Sequence, residues 1–147
     1  MTMYIKGIFI SLLLIPFFGN AQSISSNLRY INNQFEQYNE YETSFKVDEG
    51  TKEIICEDEF GILKAKFKDI EVRHEGGNVG IYCLGTGKCI RYYDKDGTRK
   101  TKDDYNEYTM GLRLDDEIIP HVEIVMDKFA ELKTLVLKGS SYSSNST

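Results

Sequence analysis

The sequence predicts an α+β fold: an N-terminal helix, then a curled antiparallel meander of about six to seven strands, then a long C-terminal helix that caps the sheet. Three observations support this prediction. Apolar residues recur at helical spacing near both ends of the chain, and they alternate with polar residues along its middle. Turn-forming Gly, Asn and Asp residues separate the alternating segments, as they do between antiparallel strands.

The two helices are predicted from their apolar stripes. The first covers about residues 23 to 41, and serines are available to cap its first turn. The second begins at Asp115 or Asp116, has Pro120 in its first turn and ends before Gly139. The stripes are Leu28, Ile31, Phe35 and Tyr38 in the first helix, and Ile118, Val122, Val125, Phe129, Leu132 and Leu135 or Val136 in the second.

Strands are predicted where the hydrophobic period changes to two. Lysines alternate with apolar residues in the third strand, which is typical of a strand with one buried face. Residues 94 to 106 show no such alternation and are expected to be irregular. The predicted strands lie at residues 43 to 48, at 53 to 57, at 63 to 68 with the apolar face continued by Ile70 and Val72 up to a turn at 76 to 78, in the two arms of a hairpin within 81 to 92, and at 108 to 114.

Residues 81 to 92 place Cys83 and Cys89 symmetrically about a Gly-Thr-Gly turn. If residues 85 to 87 form a three-residue loop, with Gly87 in the left-handed conformation, the cysteines face each other within disulfide range. We therefore predict a disulfide between them. Two free thiols are the alternative, and a metal site would lack further ligands nearby. The other facing pairs in that register are Ile81 with Arg91 and Tyr82 with Ile90.

Residues 1 to 21 are typical of a secretory signal peptide. Lys6 is their only charge, an apolar run follows at residues 7 to 18, and Ala21 precedes the expected cleavage site. The predicted location is therefore the periplasm or the extracellular space. An uncleaved membrane anchor is the alternative, although the run is short for a transmembrane helix and contains a proline.

After cleavage, residues 22 to 138 are predicted to form a single domain, followed by a disordered Ser-rich tail at 139 to 147. The whole chain carries a net charge of −5, and cleavage removes one more positive charge. An acidic protein is a poor general partner for nucleic acid or for an anionic membrane surface. We therefore expect no nucleic-acid binding and no stable membrane insertion.

The element order resembles the pleckstrin-homology-like roll, in which a C-terminal amphipathic helix closes one end of a curled meander. This resemblance covers about residues 43 to 137. A cystatin-like or Bet v 1-like sheet wrapped around a helix is the alternative architecture. The C-x5-C hairpin, followed by a strand and an Ile/Leu/Phe-rich helix, also resembles small secreted domains of Bacteroidetes-type bacteria, a resemblance that implies no particular function.

No catalytic constellation is visible in the sequence. His74 and His121 lack partners at metal-ligand spacing and are interpreted as surface residues. Cys56 lies in an apolar strand, where a buried, inert thiol is typical, and pairing with another molecule is its alternative. The acidic residues at 94 to 97 fail the spacing of a calcium loop. We therefore expect no metal and no cofactor.

The loop of residues 94 to 106 is the preferred binding surface, because it combines basic side chains and tyrosines on an acidic protein. Basic loops of classical pleckstrin-homology domains bind phosphoinositides, but a secreted location removes that ligand. The residues predicted to contact a partner are Tyr93, Lys95, Arg99, Lys100, Lys102 and Tyr105, with Tyr92 and Tyr108 also at the base of the loop.

These features predict a non-catalytic binding module for a protein or other macromolecular partner. The first alternative is a carrier that holds a small apolar ligand in a cavity beneath the C-terminal helix. The second is an enzyme that uses Cys56, or that uses the acidic pairs at 103–104 and 115–116 as paired carboxylates.

Overall fold

The computed structural model describes residues 23–38, 41–75, 78–110 and 119–143 of the chain. The predicted signal peptide lies outside these ranges, as do Leu112 and Leu114 of the predicted last strand and the predicted start of the final helix at Asp115 or Asp116. These features stay predictions.

Within the described ranges, a helix, seven strands and a second helix follow one another in the predicted order. The α+β class is therefore confirmed, and every strand pairing is antiparallel. The helices are α1 (Ser23–Tyr38) and α2 (Ile119–Ser143). The strands are β1 (Ser44–Asp48), β2 (Glu53–Glu57), β3 (Ile62–Lys66), β4 (Ile70–Glu75), β5 (Asn78–Cys83), β6 (Arg91–Tyr93) and β7 (Glu107–Met110).

The strands form two sheets and not one continuous meander. One sheet has the strand order β1-β2-β3-β6, and the other has the order β4-β5-β7. A 3-10 turn at Phe67–Asp69 takes the chain from the first sheet to the second, so the predicted continuation of the apolar face at Ile70 and Val72 lies on a separate strand, β4, of the second sheet. The buried positions explain the break, because they step from Phe67 to Ile70, a spacing of three that a strand of period two does not allow.

Both helices cover the sheets and pack against each other. α1 lies against β1, and α2 lies against β4 and the 3-10 turn that precedes it. Between them, the buried rings of Phe35, Phe45 and Phe129 meet edge to face. The ring centroids are 4.8 Å apart for Phe35 and Phe45, and 5.2 Å apart for Phe45 and Phe129. The cap predicted for the C-terminal helix alone is therefore shared with the N-terminal helix.

Within the described ranges, the two helices extend to Tyr38 and Ser143. The predicted end of α1, at about residue 41, follows residues 39–40, which lie outside those ranges. α2 continues through Gly139 to Ser143, so its helical residues include the first five of the predicted tail. A single glycine costs a helix about 1 kcal/mol relative to alanine, which does not by itself end the helix. Residues 144–147 lie outside the described ranges.

The predicted disulfide between Cys83 and Cys89 is present, with an S–S distance of 2.01 Å and a Cα–Cα distance of 5.8 Å. The hairpin predicted around it is wrong. β5 pairs with β4 and β7, whereas β6 pairs with β3. Ile81 therefore faces Val72 and Tyr108 across its two neighbouring strands, and no residue of β6.

The hairpin fails because its two arms belong to different sheets. The partner positions on both sides of β5 are taken by β4 and β7. Gly87 is not left-handed, since Gly97, with φ 88°, is the glycine with positive φ among the described residues. Residues 84 to 88 therefore belong to the connection that takes the chain from the second sheet back to the first. The disulfide ties the end of β5 in one sheet to the residues that precede β6 in the other.

Replacing both Cys83 and Cys89 with serine is expected to lower the free energy of unfolding by about 2 kcal/mol, because the bridge closes a loop of only seven residues in the unfolded chain. Urea denaturation measures the change. A reducing agent should destabilise the wild type by a similar amount and leave the double variant unchanged. A wild type insensitive to reductant under unfolding conditions would contradict the bridge.

The outer edge of β1 is bound by a side chain of α1. The Asn32 Nδ2 donates to the Phe45 carbonyl oxygen at 3.0 Å, and the Phe45 N–H donates to Asn32 Oδ1 at 2.7 Å. The side-chain amide thus takes the place that a neighbouring strand would occupy at this position.

Candidate functional site

The loop of residues 94–106 contains no strand and no α-helix, in agreement with the irregular stretch predicted for it, but turns and backbone hydrogen bonds order it. At its tip, the Gly97 N–H donates to the Asp94 carbonyl oxygen and the Asp94 N–H donates to the Thr98 carbonyl oxygen, both at 2.9 Å. A 3-10 turn follows at Thr101–Asp103. The loop then returns to the sheet through paired backbone hydrogen bonds of 2.9 and 3.1 Å between Tyr105 and Ile90.

Arg99 holds this loop together. Its guanidinium Nη1 and Nη2 lie 2.5 and 2.7 Å from the two carboxylate oxygens of Asp104. Nη1 also donates to the Tyr92 carbonyl oxygen at 3.2 Å, and the Tyr92 N–H donates to Asp104 Oδ1 at 3.1 Å. The hydrogen bond between the two side chains lowers the pKa of Asp104 and raises that of Arg99. The guanidinium of Arg99 is therefore engaged within the loop and is less available to a partner than the exposed lysines.

The other predicted basic residues are exposed. Lys95 lies in the turn at the loop tip and Lys102 in the 3-10 turn. Lys100 is held through its backbone, whose N–H donates to the Tyr92 carbonyl oxygen at 3.0 Å, and its Nζ lies 3.4 Å from Asp94 Oδ2. Exposed lysine ammonium groups therefore line the loop beside Tyr92.

Tyr93 points to the outer face of the first sheet, away from the exposed lysines that lie beside Tyr92. Its ring lies under the Nζ of Lys64, 4.8 Å from the ring centroid, and the guanidinium carbon of Arg99 lies 5.3 Å from the same centroid. Its hydroxyl oxygen accepts a hydrogen bond from Arg91 Nη1 at 3.3 Å. The structure therefore separates Tyr93 from the other predicted tyrosine, Tyr105.

Four aromatic side chains form a continuous strip at the end of the first sheet, which we call the aromatic patch: Tyr41, Phe60, Tyr92 and Tyr105. Ring centroids are 5.8 Å apart for Tyr41 and Phe60, and 6.2 Å apart for Tyr92 and Tyr105. The Tyr92 hydroxyl donates to the Phe60 carbonyl oxygen at 2.9 Å, which joins the two pairs. Phe60 is 62% exposed, Tyr41 38% and Tyr105 37%.

Asp58 fixes the turn that carries Phe60. Its buried carboxylate accepts the N–H groups of Phe60 and Gly61 at 2.8 and 3.0 Å through Oδ1, and the Tyr108 hydroxyl donates to Oδ2. Burial and this hydrogen bond raise the pKa of Tyr108. A Cβ at position 61 would lie 2.6 Å from the Tyr92 hydroxyl, so only glycine fits there. This network directs the Phe60 ring into solvent.

Sequence reasoning missed Tyr41, Phe60 and Asp58. Phe60 gave one local signal, because a large apolar residue in an Asp-Glu-Phe-Gly turn has no core position to fill. Asp58 gave none, since its partner Tyr108 is 50 positions away in the chain.

The catalytic alternative receives no support from the environment of Cys56. This free thiol is 1% exposed in the core, and its pKa is raised by burial and by Asp58. A reactive cysteine needs an accessible thiolate, which this environment disfavours. His74 is exposed on β4, and the side chain of His121 lies outside the described part of the structure. The described residues contain no cluster of three His, Cys, Asp or Glu side chains suited to a metal ion.

For the small-ligand alternative, the structure contains a groove, but this groove lies at a different position from the predicted cavity. The rings of Phe45 and Phe129 meet in the space between α2 and the first sheet. Phe129 also lines a groove of about 340 Å³ between α2 and β4. At this groove, Lys133 Nζ donates to the Ile70 carbonyl oxygen at 2.7 Å. A ligand would thus lie at the edge of the second sheet, and the carrier function stays a prediction.

Comparison of the chain with protein-family models, with curated proteins and with solved structures found no match. The resemblance to a pleckstrin-homology-like roll therefore stays a prediction, and the candidate site rests on geometry alone. Neither of the described helices is long and apolar enough to cross a membrane.

Proposed function

We propose that this protein is a non-catalytic binding module of the periplasm or extracellular space, which recognises a partner protein through the aromatic patch and the exposed lysines Lys95, Lys100 and Lys102. The observation that supports this best is the exposure of Phe60. A ring that is 62% exposed gains little from folding alone, yet Asp58 and Tyr92 hold its turn in one conformation.

The aromatic patch has the composition of a binding hot spot. Tyrosines and other aromatic residues supply large contact areas with little conformational entropy to lose, and they are enriched where binding energy concentrates. Tyr41, Phe60 and Tyr105 are exposed together, and the contacts described above connect them through Tyr92. A partner that covered Phe60 would therefore also contact its neighbours.

The adjoining lysines suggest the charge of the partner. The protein carries a net charge of −5, whereas residues 94–106 contain four basic and four acidic side chains, so this loop is less acidic than the molecule as a whole. Asp94 neutralises part of the charge of Lys100. An apolar patch beside exposed ammonium groups favours a partner with an apolar centre and an acidic rim, whose association would be accelerated at low ionic strength.

Two features favour an oxidising compartment. The sequence of residues 1 to 21 is typical of a secretory signal peptide. The Cys83–Cys89 bridge is compatible with a secreted location, because disulfides persist outside the reducing cytosol.

Site-specific photo-crosslinking tests the proposal. A photoreactive phenylalanine analogue at position 60 is expected to give a discrete partner adduct in living cells of the source organism. The same analogue at position 124 is the matched control, because Ile124 is 43% exposed on α2, away from the patch. Once the adduct is identified, Phe60→Ala is expected to weaken partner binding about 30-fold, as for a hot-spot residue, and Ile124→Ala to leave it unchanged.

Charge reversal at Lys100 and Lys102 gives an independent readout. The double variant Lys100→Glu/Lys102→Glu is expected to slow association and to weaken its dependence on ionic strength. No adduct at position 60, or identical adducts at positions 60 and 124, would contradict the proposal.

A further inference from the structure

A second surface feature lies at the opposite end of the first sheet from the aromatic patch. Phe60 lies in the turn that follows β2, whereas this depression is formed where β2 begins and β3 ends. Its volume is about 310 Å³, within the range of small-ligand sites, which is roughly 300–1,000 Å³. It is lined by Gly50, Thr51, Lys52, Lys66, Lys68 and Leu137.

Three lysines of this depression lack an acidic partner. No carboxylate among the described residues lies within 4 Å of the Nζ atoms of Lys52, Lys66 or Lys68. Asp48, the last residue of β1, accepts the N–H of the lining residue Thr51 at 3.1 Å but is not itself part of the lining. On a chain with a net charge of −5, three lysines that line one depression, with no carboxylate in its lining, favour an anionic ligand.

A second hollow adjoins the depression. Lys68 also lines this hollow, which has a volume of about 240 Å³ and lies between the 3-10 turn and the disulfide loop, together with Lys88 and one carboxylate, that of Asp69. Lys68 therefore borders both hollows.

The backbone of Lys52 supplies an independent observation. Its φ of 57° lies in the left-handed region, which only one other non-glycine residue of the described chain, Glu42, also adopts. Glycine or asparagine would adopt this conformation at lower cost. The Lys52 carbonyl oxygen accepts the Phe67 N–H at 3.0 Å, a contact that any residue could make. The left-handed position therefore carries a charged side chain at an energetic cost, as residues at functional sites often do.

We propose that Lys52, Lys66 and Lys68 form a binding site for an oxyanion that carries at least two negative charges, as a phosphate or sulfate group does. Lysine ammonium groups bind such anions as compact point charges with freely rotating donors. The site is separate from the aromatic patch, so the protein would carry two binding surfaces at opposite ends of one sheet. It does not depend on the partner protein proposed above.

The test is a titration of the full chain with sodium pyrophosphate and, separately, with a sulfated disaccharide, at constant ionic strength. Amide chemical shifts and calorimetry follow binding. Pyrophosphate is expected to perturb the amides of Thr51, Lys52 and Lys68. Tighter binding of one probe identifies the phosphate or the sulfate group as the preferred ligand, and binding of neither overturns the proposal.

Lys52→Gly separates binding from folding. Glycine relieves the left-handed strain, so this variant is expected to raise the thermal midpoint by about 1 to 3 °C. Its loss of charge is expected to weaken pyrophosphate binding by about fivefold or more. Lys52→Arg keeps the charge and should retain most of the binding.

Lys46→Gln is the matched control, because it removes the same charge from an exposed position on β1 outside the depression. Binding by Lys52→Gly at wild-type strength would overturn the site. So would an equal loss in Lys46→Gln, since it would show a general effect of net charge.

Discussion

Replacing Phe129 with alanine is expected to lower the free energy of unfolding by about 3 to 5 kcal/mol. The ring is 2% exposed, and it meets Phe45 edge to face at 5.2 Å and Phe35 at 6.4 Å. It therefore packs at the point where α1, α2 and β1 converge. Its removal leaves a cavity among three elements, which none of them can fill by moving alone. Urea denaturation followed by circular dichroism measures the change.

Ile124→Ala is the control for this prediction. Ile124 lies five residues earlier on α2 and is 43% exposed, so its truncation is expected to cost less than about 1 kcal/mol. Both substitutions introduce alanine, the best helix former, so equal losses in the two variants would show that ring packing at position 129 contributes no more than an exposed side chain of α2.

Replacing Asp58 with alanine is expected to lower the free energy of unfolding by about 3 kcal/mol. Its carboxylate accepts three hydrogen bonds, from two backbone N–H groups and the Tyr108 hydroxyl. A buried donor that loses its acceptor costs about 1 to 3 kcal/mol, and water entering the opened turn offsets part of the sum. The turn would no longer hold Phe60, so partner binding should fall as well. Urea denaturation and the binding assay measure the two effects.

Tyr108→Phe is the matched variant, because it removes one of the three donors and keeps the ring. It is expected to cost about 1 to 2 kcal/mol and to leave Phe60 in place. A Tyr108→Phe loss as large as that of Asp58→Ala would indicate that the backbone donors contribute nothing.

The raised pKa of Tyr108 adds a dependence on alkaline pH. Above the ordinary tyrosine pKa of about 10, the unfolded chain releases this proton while the folded chain retains it. The unfolded state then binds fewer protons, so stability falls as pH rises. Relative to Tyr108→Phe, the wild type is expected to lose at most about 1.4 kcal/mol per pH unit, and less where solvent reaches the ring. Parallel stability curves for the two proteins would contradict this assignment.

The secondary structure was predictable because periodicity reports which face of an element is buried. The stripe of α2 is an example: Val122, Val125, Phe129, Leu132 and Val136 all lie in the core. Periodicity does not report which strand is the neighbour. Cys83 and Cys89 could therefore be paired from their spacing, while the register assigned to Ile81 was wrong because β5 finds its partners in β4 and β7.

Some features of the candidate site were likewise predictable from the sequence, and others were not. The exposure of Lys95 and Lys102 was predictable, because charged residues in a loop are usually solvated. The contacts between Arg99 and Asp104 depend on how the loop folds back, which no local pattern reports. The support of Phe60 by Asp58 and Tyr108 joins two sheets, so it becomes visible only when both sheets are placed.

The bond between Asn32 and the backbone of Phe45 gives α1 a protective function as well as a packing one. An edge strand with free N–H and C=O groups is a template onto which another chain can add. By binding both groups of Phe45, the helix closes the first sheet against growth at β1. Proteolytic loss of α1 would therefore expose the edge of β1 as well as part of the core. The truncated chains would then be expected to associate with one another through this edge, and not simply to unfold.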